Sequence, residues 1–257
     1  MYDWINGYMP STQAFPTYVD LFFGSGGEFF NKPRHPLETI NDLDGNVVNL
    51  FKVIRDDPEK LAHVMEWTPY SREEYYRSYD DADTDIEKAR RFLVRTWQAI
   101  GAKTSDRTGW KSVIQFDKAP NKTFAKAWME VPDKIMAVTE RLKGVQIEQQ
   151  PAVQILQRYK HNDVLIYADP PYVLSTRSKR MYRHEMKDSD HIELLEALKE
   201  HPGPVLLSGY DHPLYNDMLH NWRREELAAY ADSKRPRTEV LWLNPVAAEH
   251  SAQITLF

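Results

Sequence analysis

The sequence predicts an α/β protein: a mostly parallel sheet interrupted by one helical insertion. Three observations predict it. Strand-like apolar runs alternate with helix-spaced apolar positions at both ends of the chain. Residues 58–143 hold almost no strand-like run. Two of the strand signals stop at glycine-rich or proline-rich turns, as strands feeding loops do.

The elements follow in order. The first strand signal is 18–23, Tyr18-Val19-Asp20-Leu21-Phe22-Phe23, ended by Gly24-Ser25-Gly26-Gly27. A second strand, 38–41, runs into Asp42-Leu43-Asp44, and Val47, Val48, Leu50, Phe51 and Ile54 then recur at helical spacing. Within the insertion the pattern gives helices over 86–100 and 133–142, the latter after Pro132 at a first helical position. A glycine- and serine-containing loop, 101–110, separates them. After Gly144 the alternation resumes: strand 145–147, helix 152–159, a buried strand 164–168, a helix from about Ser189, strand 204–208 and helix 213–219. Residues 226–230 and 238–243 suit a terminal hairpin. The expected division is therefore 1–57 with 144–257 as one domain and 58–143 as a helical insert.

Composition narrows the function. With 257 residues, 42% hydrophobic and 28% charged, the chain reads as a soluble globular protein. It has no apolar run near the roughly 20 residues that cross a bilayer and no basic-then-apolar start, so a cytosolic setting is expected. The absence of cysteine removes disulfides, thiolate metal sites and cysteine nucleophiles together, and no metal site is expected. A net charge of −5 does not announce a nucleic-acid binder, so phosphate contact would have to come from local patches.

The sharpest motif is Asp169-Pro170-Pro171-Tyr172, directly after the buried strand. Ligand sites in open parallel sheets gather outside the carboxyl ends of strands. Two prolines there fix the backbone and remove two amide donors, which leaves carbonyls free to accept. A carboxylate, a rigid carbonyl and an aromatic face presented together suit a planar amino-heterocycle. The second motif is Phe22-Phe23-Gly24-Ser25-Gly26, whose glycines let backbone approach a ligand closely. A tight strand-to-helix turn is its plainer reading. Asp42, at the end of the second strand, could hold two ribose hydroxyls, whereas Asp44 suits a helix cap. His191 reads as structural.

In this order the motifs resemble the Dam family of DNA adenine methyltransferases, the amino-methyltransferases whose target-recognition insert lies between the glycine loop and the Asp-Pro-Pro-Tyr motif. The later runs Val205-Leu206-Leu207-Ser208-Gly209-Tyr210 and Glu239-Val240-Leu241-Trp242-Leu243-Asn244 look like later strands of that family. The resemblance covers roughly 15–56 and 145–245. It implies a Rossmann-like S-adenosylmethionine-dependent methyltransferase sheet of seven strands with a reversed terminal hairpin and a helical target-recognition insertion. It also implies S-adenosylmethionine as cofactor, held by Phe22, Phe23, Gly24, Ser25, Gly26, Asp42 and Asp169, and catalysis by Asp169, Pro170, Pro171 and Tyr172 on the N6 amine of a flipped adenine. Gln149 and Gln150 follow the third strand, where cofactor-adenine contacts often lie, although solvated residues opening a helix are an equal reading. One departure stands out. The family's Lys-containing, Gly-rich segment is not found ahead of Tyr18, and Tyr2-Asp3-Trp4-Ile5-Asn6 looks like the helix that follows such a segment.

Double-stranded DNA is the implied partner, with the protein a monomer or weak dimer in a bacterial or phage-infected cell. Residues 86–126 carry ten Lys or Arg against three Asp or Glu, a local +7. Lys88, Arg90, Arg91 and Arg95 on a helix, and Arg107, Trp110 and Lys111 in a wedge-bearing loop, are expected at DNA. Arg177, Lys179, Arg180 and Arg183 form a second patch after Tyr172. Two rivals share these features: an amino-methyltransferase acting on RNA adenine or on cytosine N4, and a catalytically silent DNA-binding relative.

Overall fold

A computed structural model of the chain describes residues 1–102, 106–112, 124–176, 181–230 and 236–251. In chain order the elements are α1 (Tyr2–Asn6), β1 (Thr17–Asp20), α2 (Gly27–Asn31), β2 (Leu37–Asn41), α3 (Gly45–Asp56), α4 (Pro58–Glu66), α5 (Arg72–Arg77), α6 (Asp85–Gln98), α7 (Phe124–Met129), α8 (Val131–Leu142), β3 (Gln146–Glu148), α9 (Ala152–Arg158), β4 (Val164–Ala168), α10 (Asp188–Lys199), β5 (Val205–Tyr210), α11 (Pro213–Met218), β6 (Arg223–Tyr230), β7 (Pro236–Leu243) and α12 (Pro245–Ser251). They form two compact units. One comprises Met1–Leu43, Gly144–Arg180 and Glu185–Phe257; the other comprises Asp44–Lys143 and Met181–His184.

The first unit is built on a seven-stranded sheet of order β3-β2-β1-β4-β5-β7-β6. Neighbours pair in parallel except where β7 runs against both β5 and β6. This is the reversed terminal hairpin the resemblance implies. Every residue of β4 is buried. A central parallel strand covered on both faces reads as a continuous apolar run, which is how Val164-Leu165-Ile166-Tyr167-Ala168 shows in the sequence. Val19, Leu21, Ile166, Leu195, Leu207 and Trp242 share one core on this sheet.

The strand order reverses between β1 and β4. From β1 the sheet grows outward through β2, from β4 through β5, and the crevice outside the carboxyl ends of these two strands is the place where such sheets bind ligands. The strand β1 stops at Asp20, short of the expected 23. The reason is local: the Asp20 carboxylate accepts the Phe22 N–H at 3.3 Å and turns the chain out of the ladder. Asn41 ties three strand ends together. Its Nδ2 donates to the Leu21 and Gln150 carbonyls, each at 3.0 Å, and its Oδ1 accepts the Gln150 N–H at 3.0 Å.

The second unit holds α3 to α8. Its helices start where side chains can cap them: Asp44 accepts from Asn46 N, Ser71 from Glu74 N, and Thr84 from Glu87 N. The division by compactness falls after Leu43 and not at the expected 57/58, because α3 packs with α6 and α8. Six of its residues, Val47, Val48, Leu50, Phe51, Val53 and Ile54, are buried. No helix among the described residues is long and apolar enough to cross a membrane.

Candidate active site

Two strand ends build the site. At the end of β1 the chain makes a sharp turn through Gly24 and Gly26, whose φ angles of 52° and 71° lie where side-chain-bearing residues are strained. The turn closes with Gly26 N–H donating to the Phe23 carbonyl at 2.7 Å. At Gly26 there is also no room. A Cβ would stand 2.5 Å from Phe23 Cζ and 2.6 Å from Phe30 Cε2. From the end of β2, Asp42 reaches across and accepts the Gly24 N–H at 2.8 Å. The carboxylate expected at a ribose thus also pins the glycine turn.

At the end of β4 stands Asp169-Pro170-Pro171-Tyr172. Burial raises the Asp169 carboxyl to about 6, while the hydroxyls of Ser208 and Tyr172 pull it back toward the usual range. Its Oδ1 is shut from solvent and has no hydrogen-bond partner. A buried acceptor left bare is costly in a finished protein and marks a place for a donor. Behind it, the Tyr167 hydroxyl and Ser208 Oγ lie 3.1 Å apart, and Ser208 donates to the Ala168 carbonyl at 3.3 Å. The Tyr172 ring is held at two points. Its hydroxyl donates to Glu239 Oε2 at 3.2 Å, and its ring stands edge-on to Tyr210 with centroids 4.2 Å apart.

Two acids that the sequence reading passed over belong here. Asp20, 2% exposed, sits at the end of β1, and burial beside Asp169, Glu28 and Asp42 lifts its carboxyl to about 8. Glu28, 4% exposed on α2, is lifted to about 8 by burial and by Asp169, against the pull of Lys32. Asp20 left a signal, a charge inside the apolar run Val19-Asp20-Leu21. Glu28 left none, because its burial depends on packing between distant segments. No three acids or histidines among the described residues cluster tightly enough to share a metal ion.

The other expected site residues divide. Phe22 is partly buried against the core of the sheet, and Ser25 is exposed on the glycine turn. Phe23 is corrected to a core residue: it is 5% exposed and its ring packs edge-on to Phe29 and Phe30, so only its backbone reaches the turn. Gln149 and Gln150 are exposed, with the Gln150 backbone held by Asn41. His191 is fully buried against the Tyr215 hydroxyl at 2.9 Å, a structural role.

The expected DNA contacts change more. Arg90 is buried in ion pairs with Glu74 at 2.5 Å and Glu87 at 2.7 Å, and Arg91 binds Glu87 and the carbonyls of Asp80 and Asp81. Arg95 donates to the Ser78 carbonyl and lies over Tyr79. These three hold the helical unit together and are not open to a phosphate. Trp110 is likewise packed: it bonds Gln98 at 3.0 Å, meets Tyr70, and lies under Arg72, so it is no free wedge. Lys111 lies over Phe124, whereas Lys88 and Arg107 are exposed. Arg177, Lys179 and Arg180 lie outside the described residues.

A seven-stranded, mostly parallel sheet of this order is consistent with a Rossmann-like methyltransferase fold. Comparison with known proteins makes the assignment specific. The family model for D12 class N6 adenine-specific DNA methyltransferases matches residues 1–231. The chain belongs to that family, and its reaction is methylation of adenine N6 in DNA. It is also 23% identical over 232 residues to the Type II methyltransferase M1.LlaDCHI of Lactococcus lactis subsp. cremoris, covering 82% of this chain and 78% of the relative.

Proposed function

We propose that the chain takes its methyl group from S-adenosylmethionine, bound in the crevice between the ends of β1 and β4, and delivers it to an adenine extruded from the duplex. The observation that carries this reading is the bare, buried Asp169 oxygen at a proline-locked corner, with the buried acid Asp20 at the neighbouring strand end. The residues present fit the group. The glycine turn can admit its backbone-close parts, Asp42 lies at the strand end that suits a ribose, and the acids suit its positive charge. When bound, S-adenosylmethionine supplies a sulfonium-activated methyl group.

The rest is done by the chain. The adenine amine is a poor nucleophile because its lone pair is shared with the ring. Asp169 and the Pro170 carbonyl each accept one amine hydrogen, which drives the nitrogen toward tetrahedral geometry and localises that pair. Bonds to a charged acceptor contribute about 1.5–3 kcal/mol, and more as positive charge grows on the nitrogen. Asp169 does not deprotonate the neutral amine first, since even at about 6 its conjugate base is far too weak. It receives a proton only from the acidic aminium after transfer. Tyr172 stacks on the base, a contact worth about 1–3 kcal/mol that offsets unstacking, and Glu239 and Tyr210 hold its ring in place. Phosphate contact falls to exposed cations of the helical unit such as Lys88 and Arg107, and site-specific modification of the kind a Type II methyltransferase performs is the biological reading.

Methyl-labelled S-adenosylmethionine incubated with the protein and with DNA or RNA, followed by nucleoside mass spectrometry, tests the reading. Label is expected in N6-methyladenine of double-stranded DNA. Asp169→Ala lowers incorporation at least about a thousandfold with DNA affinity kept. Label confined to RNA or to cytosine overturns it.

A further inference from the structure

Glu28 is the most anomalous charged residue among the described ones. It is 4% exposed, and neither carboxylate oxygen has a hydrogen-bond partner. A carboxylate in that state is disfavoured unless something that donates N–H bonds completes it. Its neighbourhood does not bond it: Lys32 and the Met1 ammonium favour its ionised form only through space, against Asp169 and Asp3. Lys32, one turn along, is committed to Glu38 at 2.5 Å and to His35 Nδ1 at 2.9 Å, with its ammonium 3.8 Å from the Tyr18 ring centre. It favours the ionised form of Glu28 without bonding it.

The position of Glu28 is fixed by the turn before it. A Cβ at Gly26 would strike Phe23 and Phe30, and one at Gly27 would stand 2.2 Å from the Tyr2 hydroxyl, so the backbone that aims Glu28 is locked by packing on both sides. Its charge is felt at Asp20, at the end of β1, and it feels Asp169, at the end of β4. Glu28 lies in the first turn of α2, directly after the glycine turn that leaves the end of β1.

We propose that Glu28 is a cofactor-binding residue, its carboxylate receiving the α-ammonium of the methyl donor's amino-acid end beside Asp20. This rests on the donor assigned above. An ammonium, with three N–H donors, completes both oxygens at once, whereas a sulfonium has no N–H and a DNA phosphate is repelled. The metal alternative lacks the tight ligand set.

Calorimetric titration of the full chain with S-adenosylmethionine and with 5′-methylthioadenosine, which lacks the amino-acid end, tests the assignment. Glu28→Gln is expected to weaken S-adenosylmethionine binding about 10- to 100-fold and leave 5′-methylthioadenosine within about twofold. Its melting temperature should stay close to that of the wild type, since a neutral amide replaces a carboxyl that burial already biases toward its neutral form. Unchanged S-adenosylmethionine affinity, or equal loss of both ligands, overturns the role of Glu28 while leaving the donor in place. A wild type that binds neither ligand overturns the donor itself. Should Glu28→Gln fail to fold, Glu28→Ala with the same pair of ligands gives the same discrimination. In the wild type, replacing the α-ammonium of the donor by hydrogen must cost at least about tenfold, and no loss there also overturns the proposal.

Discussion

Asp169 shows what a single residue's surroundings decide. As an exposed aspartate it would be ionised at any working pH. Burial at the end of β4 brings its carboxyl to about 6, within reach of ordinary assay conditions. The ionised form is much the stronger acceptor of an amine hydrogen, so the contribution of Asp169 is full well above 6 and falls about tenfold per pH unit well below it. The kcat/KM for the donor should therefore bend downward near pH 6 on the acid side, below the bend that Asp20 and Glu28 set near 8. In kcat the bend should move to lower pH, because a bound cation favours the carboxylate. A flat profile from pH 5 to 8 would remove Asp169 from the reaction. This residue was legible in the sequence because two prolines after a continuous apolar strand are a local pattern. Asp20 and Glu28 were not, since their burial is made by segments brought together only by the sheet.

At the scale of elements, the glycine turn after β1 works by shape. Gly24 and Gly26 both have positive φ, yet they differ in what surrounds them: open space at Gly24, two phenyl rings at Gly26. Gly24→Ala should cost about 1 kcal/mol for the backbone alone. Gly26→Ala adds a collision with rings already packed on Phe29, and the sum should reach about 3 kcal/mol or more. Urea unfolding of the two variants measures the difference, and equal stabilities would mean the rings yield freely. The sequence showed that a turn lies here, through its glycines, and could not rank them, because the rings at Gly26 come from both sides of the turn, Phe23 before it and Phe30 on α2. The same limit explains α3. Its helical spacing was plain, but buried residues on more than one face, Val47, Leu50 and Val53 among them, can serve either neighbour. Packing on α6 and α8 decides, and nothing local encodes it.

Over the whole molecule, a −5 chain must approach a polyanion through charges that are free to meet it. The surplus of +7 over residues 86–126 is visible in the sequence, but which cations are available is not, because the partner of Arg90 is Glu74, in a different helix. The structure divides them. Arg90, whose side chain is 15% exposed and which is paired with two glutamates, belongs to the interior of the helical unit. Removing it strands the part-buried Glu74 carboxylate, and Arg90→Ala should cost about 2 kcal/mol of stability. Because its charge was already neutralised in place, the slope of log affinity for DNA against log salt should stay that of the wild type at temperatures where the variant is folded. Lys88 and Arg107 are the opposite case. Lys88 has only an exposed ion pair with Asp85, and Arg107 lies over the Tyr76 ring. Such contacts hold little energy against a phosphate. Lys88→Ala and Arg107→Ala should leave the melting temperature nearly unchanged while each reduces the salt slope by about one. The three variants measured side by side, by thermal melting and by DNA titration from low to moderate salt, separate cations that build the helical unit from cations that meet the duplex. A fall in salt slope for Arg90→Ala with none for the other two would invert this assignment.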